Sequence, residues 1–348
     1  MVLFFNLKED KPASSFNASP PFVSILIAAR NEEENILDCL RAIDGLSWPS
    51  DKMEVLIGDD QSTDKTAVLV ETFIRHKYNF RLIHIEKNLG EAKGKANVLA
   101  NLAQEAKGEF FFITDADIQV PSNWIQSLLA NKQEKTGIVS GVTQMHVASV
   151  FEYCQAVDWI YGFGMIKTAS DYNIPVSAVG NNMMIAASTY RSTGGYENIP
   201  FSVTEDHALF IETLKKGWTY KNLMSCDSLA ITKPIPTLSK LLQQRKRWMR
   251  GAVKVPFVLL FFLLLQSLYF PIVLVMLIKF PLAAIGIWLA KILLQQFFIV
   301  HAFKKLRIPY QLLKGAILYE LYSNLISSLM LVNYVIPTKV KWKGRIYV

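Results

Sequence analysis

Residues 255–336 are almost continuously apolar, whereas residues 1–250 carry the mixed charge and turn composition of a water-soluble protein. A chain so divided folds in two solvents, because roughly 20 consecutive apolar residues are enough to cross the hydrocarbon of a bilayer. Residues 255–278 and 282–303 each reach that length, and residues 312–336 form a third block that contains Glu320 and Asn324. Such side chains are costly at the centre of a lone lipid-facing helix. The third block is therefore expected to be re-entrant or interfacial, giving two or three spans in all and a basic tail, residues 337–348, on the cytoplasmic side. The formal net charge of +8 agrees with this placement, since Arg245, Lys246, Arg247, Arg250 and Lys254 stand just before the first block. Basic residues there mark a cytoplasmic flank of an inner- or plasma-membrane protein and explain the charge without a nucleic-acid partner. Residues 236–254, basic, amphipathic and carrying Trp248, suit a helix at the membrane surface.

Residues 1–21 mix Ser, Pro and charge and read as a mobile lead-in; the apolar run 1–5 is too short for a signal peptide, so the sequon at Asn17 reads as a chance match. The 3 cysteines, Cys39, Cys154 and Cys226, are far apart, which supports neither a zinc site nor a disulfide framework. They fit free thiols in a reducing compartment.

From residue 22 to 235 the pattern is α/β. Val23 to Ala29, residues 53–57, 81–85 and 110–113 read as strands, and the four apolar residues 110–113, without alternation, are as expected of a strand covered on both faces. Helical stretches with short connections separate them, which implies parallel pairing by right-handed crossovers and a doubly wound nucleotide-binding half. No strand is followed by GxGxxG, and Gly90 to Lys95 is one residue short of a P-loop and lacks the Ser or Thr after its lysine. A dehydrogenase or P-loop ATPase is thereby disfavoured. Instead the strands end in carboxylates: Asp59 and Asp60 after the second, Asp115 and Asp117 after the fourth. Ligands of such sheets bind at the carboxyl ends of strands, and Asp115 and Asp117 offer hard oxygen donors to Mg²⁺ or Mn²⁺ shared with substrate phosphates. An isolated Asp-x-Asp is otherwise a solvated turn. Lys93 and Lys95 are either phosphate-binding cations or a solvated helix start, and the adjacent Glu205 and Asp206 would, by themselves, be an N-terminal charge pair of a helix.

Taken in order, Asn31-Glu32, Asp59-Asp60, Asp115-Ala116-Asp117, Thr204-Glu205-Asp206 and Gln244-Arg245-Lys246-Arg247-Trp248 resemble the motifs of the inverting family 2 glycosyltransferases. The likeness is to the membrane-bound branch with cellulose, chitin and hyaluronan synthases and ceramide glucosyltransferase, and it covers residues 22–250. It departs at Gln61, where the family usually has Gly, which puts the local turn geometry in question, and in lacking the N-terminal membrane helix of many relatives.

The resemblance implies a GT-A nucleotide-sugar-binding domain with a mixed central sheet. Asp60, with Asp59 and Glu32, would hold the base and ribose of the donor, expected to be UDP-linked, while Asp115 and Asp117 carry the metal on its diphosphate. Lys95, Gln244 and Arg247 would face that diphosphate, and Glu205 and Trp248 the acceptor. Trp248 also has the plainer reading of an interfacial anchor. Asp206 would take the proton of the acceptor hydroxyl as general base. The acceptor is expected to be a membrane lipid or lipid-linked glycan, since three apolar segments give little material for a polymer-conducting channel unless subunits assemble. The alternative is a processive polysaccharide synthase. A non-catalytic membrane scaffold would not need every expected carboxylate.

Overall fold

In the computed structural model residues 23–29, 53–59 and 110–115 form strands that are buried almost throughout, while the edge strand at 80–84 is half-buried. The structure describes residues 7–13, 19–252, 257–335, 340–342 and 345–347. The first nine strands are β1 (Val23–Ala29), β2 (Met53–Asp59), β3 (Phe80–His84), β4 (Phe110–Asp115), β5 (Thr136–Ser140), β6 (Val142–Met145), β7 (Asn182–Ala186), β8 (Thr219–Asn222) and β9 (Leu229–Thr232). The helices are α1 (Ile36–Asp44), α2 (Thr66–Ile74), α3 (Lys95–Glu105), α4 (Trp124–Ala130), α5 (Val150–Asp171), α6 (Ala187–Ser192), α7 (Gly195–Asn198), α8 (Glu205–Lys215), α9 (Leu238–Ala252), α10 (Phe257–Lys279), α11 (Pro281–Lys305) and α12 (Lys314–Val335). Two short strands follow, β10 (Val340–Trp342) and β11 (Arg345–Tyr347), paired antiparallel.

The chain divides into two units that interleave in sequence. One comprises Lys8–Gln144 and Ala169–Thr232; the other comprises Met1–Leu7, Met145–Thr168 and Lys233–Val348. The division is not the single cut near residue 235 that composition suggests, because most of α5 belongs with the C-terminal helices.

The first unit is a seven-stranded sheet of order β3-β2-β1-β4-β7-β5-β8, with β6 and β9 as a separate pair. Strands β1 to β4 are mutually parallel as neighbours, whereas β7 runs antiparallel to β4 and β5, so the sheet is mixed. Alternate residues feed two cores. Ile25, Ile27, Val55, Ile57 and Phe112 face one side, where α1 contributes Ile36, Leu40 and Ile43 at helical spacing. Leu26, Leu56, Phe111 and Ile113 face the other, with Val98, Leu99 and Leu102 of α3. A Cβ on Gly58 of β2 would overlap the side chain of Val98. That close approach lets α3 lie tight on the sheet and sets the height of its first residue, Lys95.

Part of the expected mobile lead-in is hydrogen-bonded into this unit. The Lys8 amide donates to Asp171 Oδ2 at 2.9 Å, the Met224 amide to Asp10 Oδ2 at 2.6 Å, and Lys11 and Asn131 exchange two bonds of 2.9 Å. Residues 17 and 18 of the sequon, and Lys254, lie outside the described residues.

In the second unit, Pro281–Lys305 and Lys314–Asn333 are long and apolar enough to cross a membrane; the described apolar part of α10, Leu264–Lys279, is shorter, and the start of the block at 255–256 is outside the described residues. The third block was expected to be re-entrant or interfacial. It forms one unbroken helix, α12, and the Glu320 carboxylate accepts from Trp288 Nε1 (2.9 Å), Lys291 Nζ (2.5 Å) and Asn324 Nδ2 (2.8 Å). A carboxylate that finds a cation and two N–H donors inside the bundle no longer bears the cost of a lone charge in lipid. The far end of α12 comes back to α9: Lys246 Nζ donates to the Asn333 carbonyl at 2.7 Å, Asn333 Nδ2 donates to the Leu242 carbonyl at 3.2 Å, and β10 lies against α9.

Candidate active site

The strand order places the reversal of crossovers between β1 and β4, where an open α/β sheet has its crevice. Asp59 ends β2 level with Ala29 of β1, and Asp115 ends β4 level with Ala28. The two residues thus flank β1 at one sheet edge, their Cα positions roughly 10 Å apart at about 4.8 Å per strand.

Around β1 and β2 the loop is built from polar backbone contacts. Asp60 is 7% exposed and Glu32 6% exposed, so both are held in the protein and not on its surface. The Asp60 amide donates to the Ala29 carbonyl at 2.9 Å, Arg30 Nη1 donates to the Asp60 carbonyl, and the Glu32 amide donates to Thr66 Oγ1 at 2.7 Å. Asp59 Oδ1 accepts from the Ser62 amide at 3.3 Å, and His84 Nδ1 lies 3.5 Å from its other oxygen. Gln61 has φ of 56°, the left-handed region. A glycine adopts that conformation with less strain, so the turn is one the family's usual Gly would favour and the Gln departure leaves it in place.

At β4 the decisive group is Lys95, the first residue of α3 after Gly94 with φ of 56°. Its Nζ lies 2.5 Å from Asp115 Oδ1 and 2.9 Å from Glu205 Oε1. Burial works against the ammonium, yet the charges of Asp115, Glu205 and Asp206 outweigh it and hold the Lys95 pKa well above its ordinary value. Asp206, in the first turn of α8, is held by two backbone donors: the Gly180 amide at 3.0 Å to Oδ2 and its neighbour His207's amide at 2.8 Å to Oδ1. Burial, followed by the charge of Glu205, raises the Asp206 pKa, with Lys95 and the two amides opposing. A carboxylate made more basic in this way is suited to accept a proton.

Asp115 and Asp117 act on a common point. Burial and then the charges of Asp117 and Asp115 push the Cys39 thiol far up, and Cys39 Sγ donates to the Asp115 carbonyl at 3.5 Å. Among the described residues no third His, Cys, Asp or Glu joins them as a metal-ligand group. Two hard carboxylates are nonetheless a sufficient protein share for Mg²⁺ or Mn²⁺, which take their remaining ligands from phosphate and water.

The structure therefore brings Lys95, Asp115, Glu205 and Asp206 together and sets Glu32, Asp59 and Asp60 along the same edge. Gln244, Arg247 and Trp248 lie on α9 of the second unit, where Gln244 is buried. Sequence reasoning gave Gly180 no role. It precedes β7, whose antiparallel run beside β4 carries its start to the catalytic edge. A Cβ there would overlap Asp206 Cβ and approach Oδ2 to 2.9 Å, so only glycine leaves room for the carboxylate. Tyr196 was also missed; burial and then Glu205 hold its phenol well above the usual range.

The family model for glycosyl transferase family 2 matches residues 24–191, and that for glycosyl transferase family group 2 matches residues 110–310. Beta-monoglucosyldiacylglycerol synthase of Synechocystis sp. is 26% identical over 240 residues, covering 66% of this chain and 48% of that protein. Poly-beta-1,6-N-acetyl-D-glucosamine synthase of Staphylococcus epidermidis is 26% identical over 243 residues, covering 67% of this chain and 55% of that protein. The chain spans about half the length of the curated relatives it matches. Among solved structures, the mannosyltransferase PcManGT of Pyrobaculum calidifontis, in complex with GDP-Man and Mn²⁺, has a TM-score of 0.55 at 16% identity, covering 97% of this chain and 81% of that one. That likeness supports the mixed α/β fold.

Lys95→Met leaves three carboxylates facing one another. Breaking a buried pair costs roughly 3–5 kcal/mol; with Lys95 27% exposed, the loss here should fall below that range. The sign with pH is fixed by Asp206: a carboxyl whose folded pKa lies above its unfolded one stabilises fully below the unfolded value, and that contribution fades as pH rises through the folded value. The variant's thermal deficit should accordingly be large at neutral pH, shrink in acid, and be partly restored by adding Glu205→Gln. A deficit independent of pH would show that Lys95 acts by packing alone.

Proposed function

This chain belongs to glycosyltransferase family 2, and we propose that it is a membrane-bound, inverting enzyme that moves a sugar from a nucleotide sugar to a membrane lipid or lipid-linked acceptor. The observation that carries this reading is the Asp206 carboxylate, made more basic by burial and by Glu205, locked by two amides, and joined through Lys95 to Asp115.

In this reading Glu32, Asp59 and Asp60 receive the base and ribose of a donor, taken to be UDP-linked. Lys95 turns its charge to the diphosphate, with Gln244 and Arg247 contributing on that side. Asp115 and Asp117 would hold Mg²⁺ or Mn²⁺, which when bound neutralises the charge of the diphosphate as a Lewis acid. Asp206 takes the proton of the acceptor hydroxyl while its oxygen attacks the anomeric carbon from the face opposite the diphosphate. The bond to the diphosphate breaks with its electron pair leaving on phosphate oxygen, and the configuration inverts. Glu205 and Trp248 meet the acceptor.

A lipid acceptor is favoured by the described apolar helices. Their charged pair, Lys291 with Glu320, is closed on itself, and their outward faces are apolar, with Leu282, Leu293 and Ile317 among the most exposed side chains. Those are surfaces for lipid and not the walls of a glycan passage. The Synechocystis relative, a beta-monoglucosyldiacylglycerol synthase by name, points the same way, while the Staphylococcus relative, a poly-beta-1,6-N-acetyl-D-glucosamine synthase by name, keeps a processive polysaccharide synthase as the second reading. Membranes containing the full chain, supplied with a panel of radiolabelled nucleotide sugars, should place label in organic-extractable lipid, and excess chelator should abolish it. Label confined to insoluble polymer would favour the processive reading, and undiminished transfer in chelator would remove the metal from Asp115 and Asp117.

The catalytic unit is placed in the cytoplasm, where nucleotide sugars are made and where the basic flank of α9 belongs. The return of the end of α12 and of β10 to α9 supports a cytoplasmic side for the tail as well. A cysteine introduced at Val348 in a version lacking the native cysteines should resist a membrane-impermeant thiol reagent in intact cells; labelling there would put the tail outside.

A further inference from the structure

Within the second unit, Trp248 is not simply a ring on a helix. The guanidinium of Arg245 lies over it, 4.7 Å from the ring centroid. Arg245 Nη2 is paired with Asp158 Oδ2, on α5, and Asp158 Oδ1 accepts from Tyr319 Oη of α12 at 2.8 Å. Trp159, beside Asp158, sets its ring 5.7 Å from that of Trp248. All three charged and phenolic groups are withdrawn from solvent; the Arg245 and Asp158 side chains are 15% and 20% exposed, and Tyr319 is buried.

An Arg held over an indole needs two constraints, one for its position and one for its tilt. The cation–π attraction supplies the first, about 0.5–2 kcal/mol. The second comes from the carboxylate, because a planar guanidinium aims its N–H bonds in fixed directions. We propose that Asp158 is a positioning residue for the acceptor-side tryptophan: it orients Arg245 over Trp248 and, through Tyr319, fixes that ring to the apolar helix α12. The consequence rests on the reading that Trp248 meets the acceptor. A sugar or lipid headgroup that packs on an indole face then finds the ring pre-oriented, and the lipid-side helix shares in setting its angle. Neither Arg245 nor Asp158 is among the motif residues Gln244, Arg247 and Trp248.

The test uses the full chain in detergent or nanodiscs. The fluorescence due to Trp248 is obtained as the difference between each protein and its Trp248→Phe counterpart. Asp158→Asn should change that difference spectrum and its quenching by acrylamide. It should also raise the acceptor KM about tenfold for phosphatidylcholine vesicles containing diacylglycerol, leaving the donor KM and the acceptor-independent hydrolysis of the nucleotide sugar unchanged. Arg245→Lys keeps a cation for Asp158 but has no plane to stack, and it should reproduce both effects; a mere helix-packing tie would tolerate it. An unchanged Trp248 difference spectrum in both variants overturns the proposal. If Trp248→Ala leaves the acceptor KM untouched, the reading of Trp248 fails, and the spectra still decide whether Asp158 positions the ring.

Discussion

One ammonium group joins parts of the chain that are far apart in sequence. Lys95 leads α3, Asp115 ends β4, and Glu205 opens α8, yet the Nζ of Lys95 is within 3 Å of a carboxylate oxygen from each of the other two. Without a cation at that point, three carboxylates would share a partly desolvated edge, and like charges so placed cannot all remain ionised. The rest of the sheet can be understood as what delivers Lys95 there. Gly58 lets α3 lie close on β2, Gly94 takes the left-handed turn before it, and the parallel pairing of β4 with β1 sets Asp115 level with Ala28. The same interaction ties the donor side of the edge to the side where a proton is to be taken. Charge on Asp115 and basicity at Asp206 are therefore one electrostatic problem.

The parallel half of the fold was legible because its information is local. Unbroken apolar runs such as Val23 to Ala29 mark doubly covered strands, and the carboxylates that end them fall at the sheet edge by topology alone. Glu205 and Asp206 were visible as motif residues and Lys95 as a cation available to phosphate, although nothing in their spacing says that the lysine sits between two carboxylates. The antiparallel insertion of β7 was not legible. Its residues are as apolar as any buried strand, and its placement beside β4 depends on pairing across some seventy positions. With β7 hidden, Gly180 had no reason to be singled out. Gln61 is an instructive case, where the sequence departs from its family and the backbone nevertheless takes the left-handed turn that a glycine would favour.

In the apolar unit the difference between expectation and structure is again a matter of distant partners. Read alone, Glu320 and Asn324 argue against a helix in lipid. Trp288 and Lys291, about thirty residues earlier and on the preceding helix, supply what Glu320 needs. Asp158 follows the same logic, since a lone acidic residue in a long helix has no sequence signature until Arg245 and Tyr319 are seen to converge on it. Both acids of this unit thus take their meaning from a cation elsewhere in the chain.

The central claim is that Asp206 is the base, distinct from the residues that hold the donor. Asp206→Asn keeps the size of the side chain and an acceptor for one amide, but cannot take a proton. Measured on one preparation, nucleotide-sugar binding should stay close to that of the parent, while sugar transfer falls by roughly 10²- to 10⁴-fold, the usual cost of removing a general base. Transfer at the parental rate with binding intact would contradict the account and move the base elsewhere, with Glu205, already beside Lys95, the next group to examine.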